Sequence, residues 1–360
     1  MSTFQRLKDL SQYFLNHDIP EDFSEIASKE LGIDISARYG PFRLKNPLLV
    51  APGQMTVSVS QIQLIKQSGF AGCVLKSVVG EDEKGSCSMI KLRRKPTKVE
   101  TVYDDYDTEG EFPIIHWDGG LDTRDLQHYL EFARIAIKLS GPDFPVIASI
   151  LGHLPSYDED FIEDEWVYTT KKLYDTGYRV FEIDFCPFLK EHDELMSQKT
   201  ILRWYRVIPE MLKKSFNDIF VFPKILNLDY GTDFQLKMVE SSFQGKADGV
   251  IIANRIYKKE FGCAHGGEEL RQHNLKQIKM VHQLYPDFEI SATGGIYRGN
   301  HIIEYLSAGA KNVQVLSFLM GKVKKPFEKK GNRFQQVFYK LMLDVESGYI
   351  ACLLKQRDKT

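Results

Sequence analysis

Glu289-Ile-Ser-Ala-Thr-Gly-Gly-Ile296, followed by Ala308-Gly-Ala-Lys-Asn-Val-Gln-Val-Leu-Ser-Phe318, reads as an apolar strand, a glycine pair, a helix and a second apolar strand ending at Ser317. Two adjacent glycines after a strand let backbone N–H groups approach a ligand where any Cβ would collide. Asn300 is expected to cap the first turn of the intervening helix. Paired loops after the last two strands of a (β/α)8 barrel are the usual phosphate site of that fold. Two tight turns without a ligand would carry the same glycines, so the rest of the chain has to decide between the readings.

Outward from this unit the same rhythm recurs. Apolar runs at 47–51, 72–76, 145–150, 180–184, 219–226 and 248–253 precede those at 288–292 and 312–317, with helical segments between them. Short, nearly continuous apolar strands alternating with helices predict a parallel sheet covered by helices, and eight of them favour closure into a (β/α)8 TIM barrel. Residues 4–17 and 20–31 have helical periodicity, and Ile33 to Leu44 alternates around Gly40 as a hairpin. We therefore expect residues 1–45 to cap the barrel, with the helices covering its floor, and 46–360 to form the barrel as a single domain. About 70 residues separate strands two and three, an insert far longer than a helix needs. It holds the basic run Lys91-Leu-Arg-Arg-Lys-Pro, the acidic run Asp104-Asp-Tyr-Asp and His116-Trp-Asp-Gly-Gly-Leu-Asp122. Both charge runs are expected to be solvated surface. Arg333 to Leu354 reads as one amphipathic helix closing the barrel.

Composition narrows the classes of function. The 360 residues are 43% hydrophobic and 27% charged, the balance of a soluble globular protein. A net charge of −2 gives no reason to expect nucleic acid or an anionic membrane as partner. No apolar run is long enough for a membrane span, and the N-terminus lacks the apolar core of a secretory signal. Five cysteines without a Cys-x-x-Cys pair fit reduced thiols in a cytoplasmic protein better than a disulfide framework, and no metal site is expected.

Barrel enzymes place their chemistry at the C-terminal ends of strands. The polar and small residues there are Ala51-Pro-Gly53, Lys76-Ser77, Ser149, Asp184 with Cys186, Lys224 with Asn227, Asn254, Gly266-Gly267, Gly294-Gly295 and Ser317. Lysine is rarely buried without an anionic partner, so Lys76 and Lys224 need either solvent or a negative group at the barrel mouth. Cys186 either fills space as a small hydrophobe or, near cations, works as a thiolate that exchanges protons or attacks a substrate.

Together these residues resemble the dihydroorotate dehydrogenase-like flavoenzymes, and the match runs from about Ile33 to Lys322. Leu44-Lys-Asn-Pro-Leu-Leu-Val-Ala-Pro-Gly53 is similar to the family's hairpin-to-first-strand signature. The resemblance implies FMN, an oxidoreductase acting on a carbon–carbon bond, and roles for named residues. Lys76-Ser77 would touch flavin and substrate, Lys224 would stand beside the flavin ring, and Asn254 would match a sixth-strand asparagine. Phe261-Gly-Cys-Ala-His-Gly-Gly267 is similar to the family's glycine-rich segment, while Gly294-Gly295 and Ser317-Phe318 fit the FMN phosphate loops. Ala51, Pro52, Gly53, Ser149 and Asp184 complete the implied cofactor shell. Cys186 would move a proton at one substrate carbon, as in the soluble class of the family, while hydride leaves the neighbouring carbon.

The departures bear on the substrate. Asp184 stands where the family has asparagine, Asp118-Gly-Gly-Leu-Asp122 replaces an Asn-Pro-Gly-Leu-Asp pattern, and the loop carrying Cys186 is one residue shorter. With Asp118, Asp184, Asn227 and Asn254 as the implied substrate contacts, two carboxylates facing one pocket would repel orotate. That leads to the expectation of a small ring substrate richer in donors or positively charged, in place of orotate itself. A non-redox phosphate-binding barrel (an isomerase or synthase) and a catalytically silent flavin-binding protein remain as alternatives. The family's habits imply a homodimer and a separate electron-acceptor partner.

Overall fold

The computed structural model describes residues 2–185, 197–228, 231–258 and 261–357. Eight parallel strands form the barrel: β1 Leu48–Val50, β2 Gly72–Val74, β3 Val146–Leu151, β4 Val180–Ile183, β5 Phe220–Pro223, β6 Gly249–Ile252, β7 Glu289–Thr293 and β8 Asn312–Val315. They neighbour one another in the order β5-β4-β3-β2-β1-β8-β7-β6. The seam between β5 and β6 is closed by a parallel bridge between Lys224 and Ile251, where the Ile225 amide donates to the Ile251 carbonyl at 2.9 Å. Each apolar run of the sequence carries one of these strands. Successive strands buried on both faces explain why they read as continuous apolar runs without alternation.

Inside the barrel the residues form layers. Leu49, Val74, Ile147, Val180, Phe222 and Ile251 make an apolar lower layer together with Tyr39 and Leu44 of the hairpin Ala37–Tyr39/Phe42–Leu44. The hairpin thus plugs the floor. Tyr39 packs on Phe222 with ring centroids 4.7 Å apart, and Glu289 accepts the Gly40 amide at 2.7 Å and pairs with Arg38. Gly40 turns the hairpin in the left-handed region, at φ 52°.

The helices Thr3–Asn16 and Phe23–Leu31 do not form that floor. They lie against the C-terminal helix Arg333–Met342, where Phe23 meets Phe338 edge-on and Gln335 exchanges hydrogen bonds with the Ile19 backbone. The C-terminal segment is also two helices rather than one, because the carboxylate of Asp344 accepts the Glu346 and Ser347 amides and turns the chain before Tyr349–Arg357. Among the described residues no helix is long and apolar enough to cross a membrane.

The insert after β2 is ordered around the strands Lys98–Val102 and Ile114–Asp118. These join Cys263–Gly266 and Ile256–Lys258, from the excursion after β6, in a four-stranded antiparallel sheet. This sheet roofs one side of the barrel mouth. The basic run before it is less solvated than expected: Arg93 is an ion-pair partner of the buried Glu81, and Lys95 pairs with Asp118.

Gly299, the first residue of helix Gly299–Ala308, shows how tightly the turn after β7 is tied to the C-terminus. Its amide donates to Ser347 O at 2.7 Å, and a Cβ there would lie 1.9 Å from the Tyr349 nitrogen. Backbone cannot yield as a flexible side chain would. Gly299→Ala is therefore expected to lower stability by about 2–3 kcal/mol, read as a reduced urea midpoint at unchanged slope.

Candidate functional site

Polar residues gather at the C-terminal ends of the barrel strands, in a cleft of about 670 Å³ counted out to its open mouth. Its lining includes Ala51 and Pro52 after β1, Ser77, Asp184, Lys224, Asn254, Gly266, Gly294, Gly295, Ser317 and Phe318. Residues far apart in the chain are thus brought to one cavity. Gly53, Lys76, Ser149, Gly267, Asn227 and Asp118 stand outside this lining. Cys186 lies outside the described residues.

Each neighbouring residue has a visible task. Gly53 packs so closely on Leu316 that a Cβ would sit 2.4 Å from its methyl carbon. Lys76 is buried beside the mouth, with Nζ donating to Thr97 Oγ1 at 3.3 Å. Burial lowers its pKa, opposed by the Asp122 charge. Ser149 stands behind Ser77, their hydroxyls 2.7 Å apart, and Ser77 donates to Asp184 at 2.8 Å. Gly267 packs on Ile114 and turns the chain into helix Glu269–Leu284. Asn227 donates to the Asn254 carbonyl and accepts from Gln235 at 2.6 Å, so it braces Asn254 from behind. Asp118 is held by Lys95 at 2.5 Å.

Among the described residues, Asp184 is the one carboxylate of the lining. Ser77 donates to one oxygen and Asn254 to the other, at 3.2 Å. Lys224 lines the same cleft; burial pushes its pKa down, and the Asp184 charge opposes this. The lysine ending an apolar strand therefore has its anion within the site.

The two turns after β7 and β8 open into the same cavity. Gly294 and Gly295 have φ of 97° and 64°, values that side-chain-bearing residues rarely adopt. A Cβ on Gly295 would also meet Arg271 at 2.8 Å. Among the described residues no acceptor takes the amides of Gly294, Gly295, Ile296, Ser317 or Phe318. Buried N–H groups are rarely left unpaired, so a row of them at a cavity wall suits an acceptor-rich ligand such as a phosphate.

The turns are held from outside. Arg333 donates to the carbonyls of Phe318 at 2.6 Å, Leu319 at 3.2 Å and Gly321 at 2.5 Å, with burial pushing its pKa down to about 10. Tyr305 donates to Gly294 O at 2.7 Å, and His301 meets Gly295 O at 3.0 Å. Asn300 does not cap the helix. It lies within the first turn and donates to Glu304, while the N-cap position is Arg298 without a side-chain cap.

Among the lining residues that sequence reasoning missed are Trp117, Arg255, Thr293 and Gln314. Arg255 immediately follows Asn254, and its guanidinium lies over the Trp117 ring at 4.6 Å. It adds a second cation to the cleft, close enough to depress the pKa of both Lys76 and Lys224. A polar Gln314 inside the apolar run Val313-Gln-Val315 was the available signal for that residue. Trp117 carried none, since its approach depends on the roof sheet.

His301 offers a pH test of the turn. Burial pushes its pKa from 6.5 down to about 4, so the folded protein holds it neutral. The stability this contributes is complete above pH 6.5 and is lost as pH falls towards 4, about 3 kcal/mol at most. Melting temperature is expected to fall across that window in the wild type. In His301→Gln, which cannot take up a proton, this part of the pH dependence should be absent.

No protein-family model matches the chain. It is similar to the catalytic subunit of dihydroorotate dehydrogenase B (NAD(+)) from Pyrococcus furiosus, 27% identical over 286 residues, which cover 75% of this chain and 82% of that protein. The corresponding subunit from Methanocaldococcus jannaschii is 26% identical over 280 residues, covering 75% and 82%. Among solved structures, a dihydroorotate dehydrogenase from Eimeria tenella in complex with ferulenol matches with a TM-score of 0.64 at 13% identity, covering 91% of this chain and 86% of that one.

Proposed function

With the chain a dihydroorotate dehydrogenase-like (β/α)8 barrel, we propose that it is an FMN-dependent oxidoreductase acting on a carbon–carbon bond of a small ring. One observation carries the reading: unpartnered amides after β7 and β8 open into the cleft that Lys224 and Asp184 also line. FMN fits this arrangement, and when bound it supplies a two-electron acceptor for hydride. The amides of Gly294, Gly295, Ser317 and Phe318 would take its phosphate. Ala51, Pro52, Ser77, Asn254 and Gly266 would border its ring, with Gly53, Ser149 and Gly267 packing behind them. Lys224 would stabilise negative charge there, with Asp184 fixing the lysine. Lys76 would assist from the edge of the site, and Cys186 would exchange the substrate proton.

The substrate reading changes with the charge balance. A ligand richer in donors or positively charged was expected because two carboxylates would face one pocket. Of the two, only Asp184 lines the cleft, and both its oxygens already accept hydrogen bonds. Lys224 and Arg255 line it as well, so the site favours a planar ring bearing an acidic group, and orotate is the probe of choice. The names of the archaeal relatives, catalytic subunits of an NAD(+)-linked enzyme, support a separate electron-accepting partner.

The purified protein is expected to be yellow and to release FMN on denaturation; a colourless protein that fails to take up added FMN would refute the proposal. Gly295→Ala should weaken FMN binding at least tenfold. Lys224→Met should retain FMN but slow its reduction by substrate about a hundredfold, measured as bleaching in stopped flow. Arg255→Met should leave FMN binding intact and weaken orotate binding about ten- to a hundredfold, read from flavin absorbance changes on titration.

A further inference from the structure

Glu182 lies in the barrel interior on β4, two residues before Asp184 and therefore one layer beneath it on the same inward face. It is fully buried. Its Oε1 accepts from Tyr39 OH at 2.7 Å and from Gln314 Nε2 at 2.6 Å. Its Oε2 and the Oε1 of Gln314 are both buried without a hydrogen-bond partner among the described residues. Two orphaned acceptors on side chains that already share one hydrogen bond are difficult to reconcile with a carboxylate. A proton on Glu182 Oε2 removes both defects at once: the acid O–H donates to the amide carbonyl, while the amide N–H donates to the acid carbonyl.

We propose that Glu182 is a neutral carboxylic acid locked to Gln314 in a cyclic acid–amide pair, a positioning group that leaves the Lys224 charge to be balanced by Asp184 and the ligand. The groups facing it agree with this state. Tyr39 comes from the hairpin, Gln314 from β8 and Ser291 from β7, where it accepts from Gln314 at 3.1 Å. Lys224, immediately after β5, is a cation acting on it, and Asp184 above it is a like charge. Burial raises its pKa most, and Asp184 adds to this, while Lys224 and the two hydrogen bonds oppose it. An ionised Glu182 would neutralise Lys224 from beneath and reduce its attraction for negative charge in the cleft.

The part concerning Lys224 and flavin rests on the proposed function; the protonation state does not. Infrared spectra of the full-length protein, recorded before and after FMN addition, test it. A protonated-carboxyl C=O band that shifts in D2O is expected at neutral pH, and it should be absent in Glu182→Gln. That variant keeps the acid–amide geometry without a charge, so FMN affinity should stay within twofold of wild type, and so should the pH dependence of the flavin reduction potential. If it fails to fold, Gln314→Leu serves instead, because loss of the amide carbonyl should move the same band to higher wavenumber. Absence of the band in wild type overturns the proposal, as does a change of tenfold or more in FMN affinity in Glu182→Gln. A colourless protein that still shows the band would overturn the flavin reading and leave this one standing.

Discussion

A cation at the end of an apolar strand has to be answered electrically, and in this barrel Lys224 and Asp184 form that answer. Neither ends up in bulk water, and neither is satisfied by the other alone. Asp184 needs Ser77 and Asn254 to occupy its oxygens, Ser77 needs Ser149 behind it, and Asn254 needs Asn227. The mouth is consequently a connected set of polar groups supported from one layer below, since a buried charge left without partners would cost several kcal/mol. The apolar lower layer and the hairpin plug allow this by closing the interior to water from beneath.

The eight strands were legible because each is buried on both faces and reads as an unbroken apolar run. The glycine turn after β7 was legible because left-handed glycines and a βαβ spacing are local properties. The same locality explains the failures. Asn300 has the right chemistry for a cap, but the start of its helix is set by the contact between Gly299 and the C-terminal turn, fifty residues on in the chain. The break at Asp344 came from local side-chain acceptors that helical periodicity does not weigh.

Arg255 and Trp117 show a different limit. Their stacking requires the insert after β2 to pair with the excursion after β6, and short strands of modest apolar character give little sign of their partners. The change in the substrate charge we propose follows from this. Reading Asp118 as a pocket acid assumed that the insert runs over the cleft at that residue. Its register instead turns Trp117 inward and leaves Asp118 to Lys95.

The roof sheet has a consequence for the order of assembly. Its central pairing joins His116 to His265, 149 residues apart in the chain, so it can form only once the barrel between them has brought both excursions to the same rim. A cover joined from two such distant excursions is thus tied to the completion of the barrel rather than to local contacts of its own.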